Sequence, residues 1–444
     1  MRTNNLLMSG LPLAWALAFA TTAFAAQGDP VGGYKLLTTV AIPGGLTSND
    51  ISWVDSANAR YYLADRGNAT ATPPVPPRVD VIDTVTSQYL TSITLPAAAN
   101  GVVSVPRAHE VWVGLSNSNV AIINTDTNTI VGNVSTGGTA RADEIAYDPA
   151  DHIILIANDR DTPPFVSFIS QQSRTVLKKV PYDGSSAPQS TGGIEQPVWD
   201  GPAGKFYLAI PATAANAKGE VDELDPQKLA LTRSFPTTCG PAGLVLIPNQ
   251  RLMTSCGDVL DVLTGKVVTT VTGVSGDEIW YNAGDQRVYF PGTANMYVVD
   301  ANTYSLLTTV VVGVISTTPG ASQTTHSLAA DADNGLVFVP VSTAGVQVWR
   351  YGATLTAFPN PILVSGTADG VTTITWNAPN ATVVEIHVGS PSGPLLTYEG
   401  NHGSIQTGPW VSDGLTFYLQ DVTGGLPLTS ANTLATLVAH VQRN

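Results

Sequence analysis

The chain of 444 residues carries 34 Asp and Glu against 20 Lys and Arg, a net charge of −14. Such a surface repels phosphate backbones, which argues against sequence-blind nucleic-acid binding. Charged residues are only 12% of the sequence, with 41 Gly and 31 Pro beside frequent Thr and Val, a balance that suits a rigid β-protein and argues against disorder.

The first 25 residues, MRTNNLLMSGLPLAWALAFATTAFA, read as a secretory signal peptide. They hold Arg2, an apolar stretch from Leu11 to Phe19, and Ala23-Phe24-Ala25 as a small-x-small cleavage site. The apolar core is short of the roughly 20 residues a membrane span needs. Nothing later is long and apolar enough either, so the mature chain is expected to lack a transmembrane segment and to be secreted or periplasmic.

Residues 33–351 are repetitive. One thirteen-residue theme recurs as VIDTVTSQYLTSI (81–93), IINTDTNTIVGNV (122–134), FISQQSRTVLKKV (168–180), ELDPQKLALTRSF (223–235), VLDVLTGKVVTTV (259–271) and VVDANTYSLLTTV (298–310). Each copy is a β-branched run, a turn opened by Asp83, Asn124, Ser170, Asp225, Asp261 or Asp300, and a second run. Before each outer hairpin lies an alternating pair of runs, such as NDISWVDSANARYYLAD (49–65) and DEIAYDPADHIILIAND (143–159). Seven such inner hairpins, recurring every roughly 35 to 55 residues, predict a seven-bladed β-propeller. YKLLTTVAI (34–42) nearly duplicates YSLLTTVVV (304–312) but has no partner before it. It is expected to be the outermost strand of the last blade, closing the ring and leaving no long sheet edge.

The two cysteines, Cys239 and Cys256, bracket a hairpin turning at Pro248-Asn249-Gln250. Antiparallel folding brings them together at its open end, and a disulfide is expected in an exported protein. After Tyr351 a Pro-punctuated linker (352–361) leads to a small β-sandwich (362–444), with Trp376, Trp410, Phe417 and Tyr418 as expected core aromatics.

Aligning the inner hairpins on Trp53, Tyr147, Trp199 and Tyr281 places paired residues at the start of each innermost strand. They are Asn49-Asp50, Asn100-Gly101, Asp143-Glu144, Glu195-Gln196, Ala242-Gly243, Asp277-Glu278 and His326-Ser327. Innermost strands line a propeller's channel, so these starts should gather at one mouth. Asn49, Asp50, Asp143, Glu144, Glu195, Asp277, Glu278 and His326 are therefore candidate ligands for a divalent cation, calcium first, with zinc and magnesium as alternatives. Glu195 and His326 are the candidate catalytic pair, His326 as general acid/base or ligand. The competing reading makes the acidic pairs staples between blades. Arg107, Arg141 and Arg160 are expected on the same face.

The NDISWVD, RADEIAYDP, GIEQPVWD and THSLAAD strings, with repeated VIDT and VVDANT turns, resemble the bacterial exported β-propellers of the YVTN-repeat class. The resemblance implies the fold and leaves the activity open. The acidic mouth is similar to that of gluconolactonase-type propellers, which hold a divalent cation above the channel. That resemblance implies Glu195, Asn49, Asn100 and Asp277 as ligands. The C-terminal part resembles immunoglobulin-like accessory domains. Two functions follow as expectations. One is an exported binding protein that recognises a small molecule or an envelope or extracellular partner at the channel mouth. The other is a metal-dependent, lactonase-like hydrolase or a lyase.

Overall fold

The structure, a computed structural model, describes residues 33–443 apart from 319, 379 and 380. The expected signal peptide, 1–25, lies outside the described residues. Between Tyr34 and Tyr351 the chain forms seven four-stranded antiparallel sheets, an arrangement compatible with a propeller. Sheets 1 to 6 are each four consecutive strands. They begin with Asn49–Asp55, Ala99–Val105, Ile145–Asp148, Pro197–Asp200, Leu244–Ile247 and Trp280–Asn282. Sheet 7 runs Ala329–Ala330, Leu336–Val341 and Gly345–Tyr351, and then pairs with Tyr34–Val40. In that last pair Tyr34 stands opposite Tyr351 and Val40 opposite Val346.

Apolar residues alternate along these strands because a strand points successive side chains to opposite faces. Each sheet thus presents one apolar face to the sheet before it and one to the sheet after. Ile51, Val79 and Val81 of sheet 1 pack with Val102, Val113 and Ile123 of sheet 2. Val103, Trp112 and Ile122 pack with Ile145, Ile154 and Ile169 of sheet 3. The pattern continues round to sheets 7 and 1, where Phe338 and Val348 meet Tyr61 and Leu63. The first strands also touch in cyclic order, sheet 7 against sheet 1 included.

The outer hairpins show why the repeat was recognisable. Asp83 Oδ1 accepts from the N–H groups of Val85 and Thr86, and Asp300 Oδ1 from those of Asn302 and Thr303. Asn124, Asp225, Asp261 and the Ser170 hydroxyl cap their own turns in the same way. Four residues after each capping residue the backbone turns left-handed, at Ser87, Asn128, Arg174, Leu229, Gly265 and Tyr304. The side chain substitutes for a missing backbone partner, which is why Asx residues start these turns.

In sheet 5 the strands Leu244–Ile247 and Arg251–Thr254 pair across the predicted turn, and Cys239 and Cys256 form a disulfide. The C-terminal region holds a three-stranded sheet (Thr354–Phe358, Thr373–Asn377, His402–Gln406) and a four-stranded one (Leu395–Gly400, Val383–Val388, Thr416–Asp421, Thr433–Val438). Ile374 and Trp376 of the first share a core with Val384, Ile386, Phe417 and Leu419 of the second. The expected linker 352–361 is corrected here. Thr354–Phe358 is a strand paired with Thr373–Asn377, because Leu355 buries itself in the C-terminal core. Trp410, expected in that core, is 40% exposed.

Candidate functional site at the channel mouth

Antiparallel pairing places the residue after a second strand beside the start of the first. In sheet 1, Asn49 stands opposite Asp65 and the Arg66 N–H donates to the Ser48 carbonyl, which leaves the Arg66 side chain within reach of Asp50. Its Nη2 donates to the Asp50 carboxylate and, at 3.1 Å, to Asn100 Oδ1 of sheet 2, which also accepts from Nε at 3.3 Å. β-bulges interrupt both first strands where Asp50 and Asn100 stand, between Asn49 and Ser52 and between Ala99 and Val102. Such bulges re-aim a side chain. Asn100 Nδ2 donates to the Ala142 carbonyl at 3.1 Å, tying sheet 2 to the entry of sheet 3.

Sheet 3 repeats the arrangement with the charges exchanged. Asp159 follows its second strand, and Arg141 reaches it with two bonds of 2.9 and 2.7 Å. The same guanidinium lies 2.5 Å from Asp143 and 3.8 Å from Asp50. Arg160, mostly exposed, adds a contact to Asp159 at 2.9 Å. Across the mouth, His326 Nε2 donates to the Asn49 carbonyl at 2.7 Å. Its Nδ1 lies 3.4 Å from Asp277 and 3.7 Å from Asp50. Gln196 Oε1 accepts from the Leu244 N–H at 2.6 Å, joining sheets 4 and 5.

These neighbours set the protonation of the site. Burial, with Asp159 and Asp277 adding to it, pushes the half-buried Glu195 carboxyl up to about 7. Burial likewise raises Asp50 and Asp143, against the pull of Arg66 and Arg141. Glu144 and Glu278 are fully enclosed beside each other, and burial drives both carboxyls well above the usual range. Burial disfavours the His326 imidazolium, yet Asp277 and Asp50 outweigh it and hold its pKa above the ordinary value.

Asp143, Asp159 and Glu195 offer carboxylate oxygens within 4.8 Å of one another and can hold a metal ion. Two of these were candidates from the sequence; Asp159 was not, nor was Arg66. Both belong to the ends of second strands, and counting back through the hairpin pairing would have found them. The other candidates stand elsewhere in the cluster. Asp50 is paired with Arg66, and Asp277 and the Asn49 carbonyl are in contact with His326. Glu144 and Glu278 lie deeper, facing one another. The four residues implied by the lactonase resemblance are not arranged as one free ligand set, since Asn100 Oδ1 is taken up by Arg66. Arg107 is not on this face. It lies in the turn Pro106–Ala108 at the opposite end of its strand, because the strand Ala99–Val105 separates it from Asn100.

Behind the mouth lies a cavity of about 690 Å³ walled by the first strands of all seven sheets. Glu144 and Glu278 line it at the mouth side, and Trp53, Trp199, Trp280, Tyr147 and Tyr281 line it further along. No protein-family model matches the chain, and no curated protein matches its sequence. Among the described residues no helix is long and apolar enough to cross a membrane.

Proposed function

We propose that this protein is an exported binding protein: a seven-bladed propeller, closed by its N-terminal strand and followed by an immunoglobulin-like accessory domain. It takes a divalent cation, or a small molecule carried by one, at the channel mouth. The observation that carries this reading is the convergence of Asp143, Asp159 and Glu195. Three oxygen ligands, two buried and one half-buried, match the preference of calcium for carboxylates. Arg141 lies among them and neutralises two, so an incoming cation competes with its guanidinium. The Cys239–Cys256 disulfide supports an oxidising compartment.

Calorimetric titration of the mature chain tests the reading. Calcium is expected to bind once per chain with a Kd of about 10⁻⁴–10⁻³ M, the range of extracellular modules. Asp159→Asn and Glu195→Gln should abolish it, and Arg141→Gln should tighten it by removing the competing cation. Absence of binding by calcium, zinc and magnesium, in both wild type and Arg141→Gln, would make the cluster a set of staples between sheets.

A second reading, metal-dependent hydrolysis, is favoured by one feature. Glu195 is held near 7, where a group exchanges protons most effectively at neutral pH. Turnover of lactones or simple esters, lost in Glu195→Gln and in His326→Ala, would establish it.

A further inference from the structure

The cavity behind the mouth is chemically unlike the mouth. Its walls are the first strands, and the residues that face it are apolar and aromatic: Trp53, Trp199, Trp280, Tyr147 and Tyr281, with aliphatic side chains such as Val245 and Leu328 between them. Each of the five aromatic residues is only part-buried, although it sits on an innermost strand or at its end. Trp53 of sheet 1 and Trp280 of sheet 6 meet across sheet 7, with ring centroids 5.1 Å apart and planes at 79°. The two indoles therefore set one ring edge against the other instead of stacking face to face. The volume, about 690 Å³, lies within the range of small-molecule sites.

Besides the two tyrosines, the ionisable groups of this cavity are three. Arg107 stands exposed at the far rim, in the turn that follows the strand Ala99–Val105. Glu144 and Glu278 are 3% and 5% exposed at the mouth side. Oε2 of each is buried and accepts no hydrogen bond from an N–H or hydroxyl among the described residues. Arg66 and Arg141, the nearest guanidiniums of the mouth, are engaged with Asp50, Asn100, Asp143 and Asp159. A buried carboxyl oxygen without a donor is costly unless a proton or a cation meets it; here the two carboxyls face one another and burial favours their protonated form, so an entering cation would take the place of a proton. Aromatic faces attract cations through the ring quadrupole, most strongly where water is excluded. The two features ask for the same ligand chemistry: a positive charge that carries no strongly held water, attached to an apolar body.

We infer that the aromatic cavity is a second ligand site of this protein, and that it takes an organic cation: a quaternary or tertiary ammonium whose apolar body packs against Trp53, Trp199 and Trp280 while its charge lies toward Glu144 and Glu278. The site is distinct from the Asp143–Asp159–Glu195 cluster and does not require a metal there.

Calorimetry on the mature chain, in the presence of a chelator, tests this with choline and its neutral isostere 3,3-dimethylbutanol, which differ in charge and hardly in shape. Choline is expected to bind about tenfold more tightly than the alcohol or better, as a desolvated cation–π contact implies. Benzyltrimethylammonium, with more apolar body, should bind more tightly still. Trp280→Leu, which keeps apolar bulk and removes the ring face, and Glu278→Gln should each weaken both cations about tenfold. Arg107→Glu, an exposed change that leaves the fold undisturbed, should strengthen them. Equal binding of choline and its isostere, or binding of neither, would overturn the inference, as would cation affinity unchanged in Arg107→Glu and Glu278→Gln together. Calcium titration of Trp280→Leu separates the two sites. Lost ammonium binding with calcium binding intact bears on this cavity alone, and the reverse bears on the mouth alone.

Discussion

Asp222 shows how single side chains set the response of this protein to pH. It sits in the third strand of sheet 4, fully buried, with Ser234, Tyr182 and Glu220 as its neighbours. Burial pushes its carboxyl up to about 8, far above the value near 3.9 expected of an unfolded chain. The folded state therefore binds a proton that the unfolded state has released. Stability from this group is fully present below about pH 4 and is lost as pH rises toward 8, at up to about 1.4 kcal/mol per pH unit. Asp80, pushed up to about 7 by burial and by Asp65, acts in the same direction. Carboxylates held low by turn N–H groups, such as Asp83 and Asp261, lose their contribution only below about pH 4. Thermal unfolding should thus occur at a higher temperature at pH 5 than at pH 8. Asp222→Asn should raise the midpoint at pH 8 and flatten the profile between the two. An Asp222→Asn profile parallel to that of the wild type between pH 5 and pH 8 would show that Asp222 does not carry the effect.

At the scale of the element, the first strands are held close by glycine. A Cβ on Gly101 would stand 1.9 Å from the Asp143 carbonyl of the next sheet, and one on Gly243 would stand 2.1 Å from the Asp277 carbonyl. Backbone cannot yield as a flexible side chain does, so Gly101→Ala should destabilise by about 3 kcal/mol, as overpacking does in tight cores. Chemical denaturation would measure it, with Gly400→Ala, an open position without a positive φ, as a control for lost glycine freedom alone. The turn-capping Asp residues and the alternating runs were legible in the sequence because each acts within its own hairpin, whereas these glycines meet the next sheet and their role was not legible. The outer hairpins could be read residue by residue: the capping residue fixes the turn, and the turn fixes the register. The mouth was legible only in half. The starts of the first strands were visible as a column of acidic residues, but Arg66 and Asp159 enter from second strands and required the pairing. The aromatic residues used to align the repeats were visible too. That they border a cavity depends on how far the seven first strands stand from one another, which no local pattern records. The strand Thr354–Phe358 was missed because Pro359 and Pro361 made its surroundings resemble a linker.

At the scale of the molecule, the decisive residue is Tyr34. It is the first residue of the strand that pairs with the end of the repeat region, and its ring is buried against Tyr351 and Tyr289 with centroids 5.3 and 6.0 Å away. Its hydroxyl meets that of Tyr289 at 2.9 Å and accepts from Arg287 at 3.0 Å, so one side chain joins the N-terminal strand to sheet 6. Leu37, three residues on, is 52% exposed. If this strand closes a ring, as proposed, its loss must loosen every sheet, because each sheet borrows the apolar face of its neighbour and none has a core of its own. Tyr34→Ala should then cost about 3–5 kcal/mol, the range for removing a large buried aromatic ring, whereas Leu37→Ala should cost little. Native-state hydrogen exchange can tell cooperative closure from local anchoring. With closure, amides of sheets 1 to 6 lose protection by the same free energy as those of sheet 7, and amides of the C-terminal sheets, which pack on a separate core, keep theirs. Loss confined to Gly345–Tyr351 and Tyr34–Val40 would instead make the N-terminal strand a removable cover on a ring already stable without it.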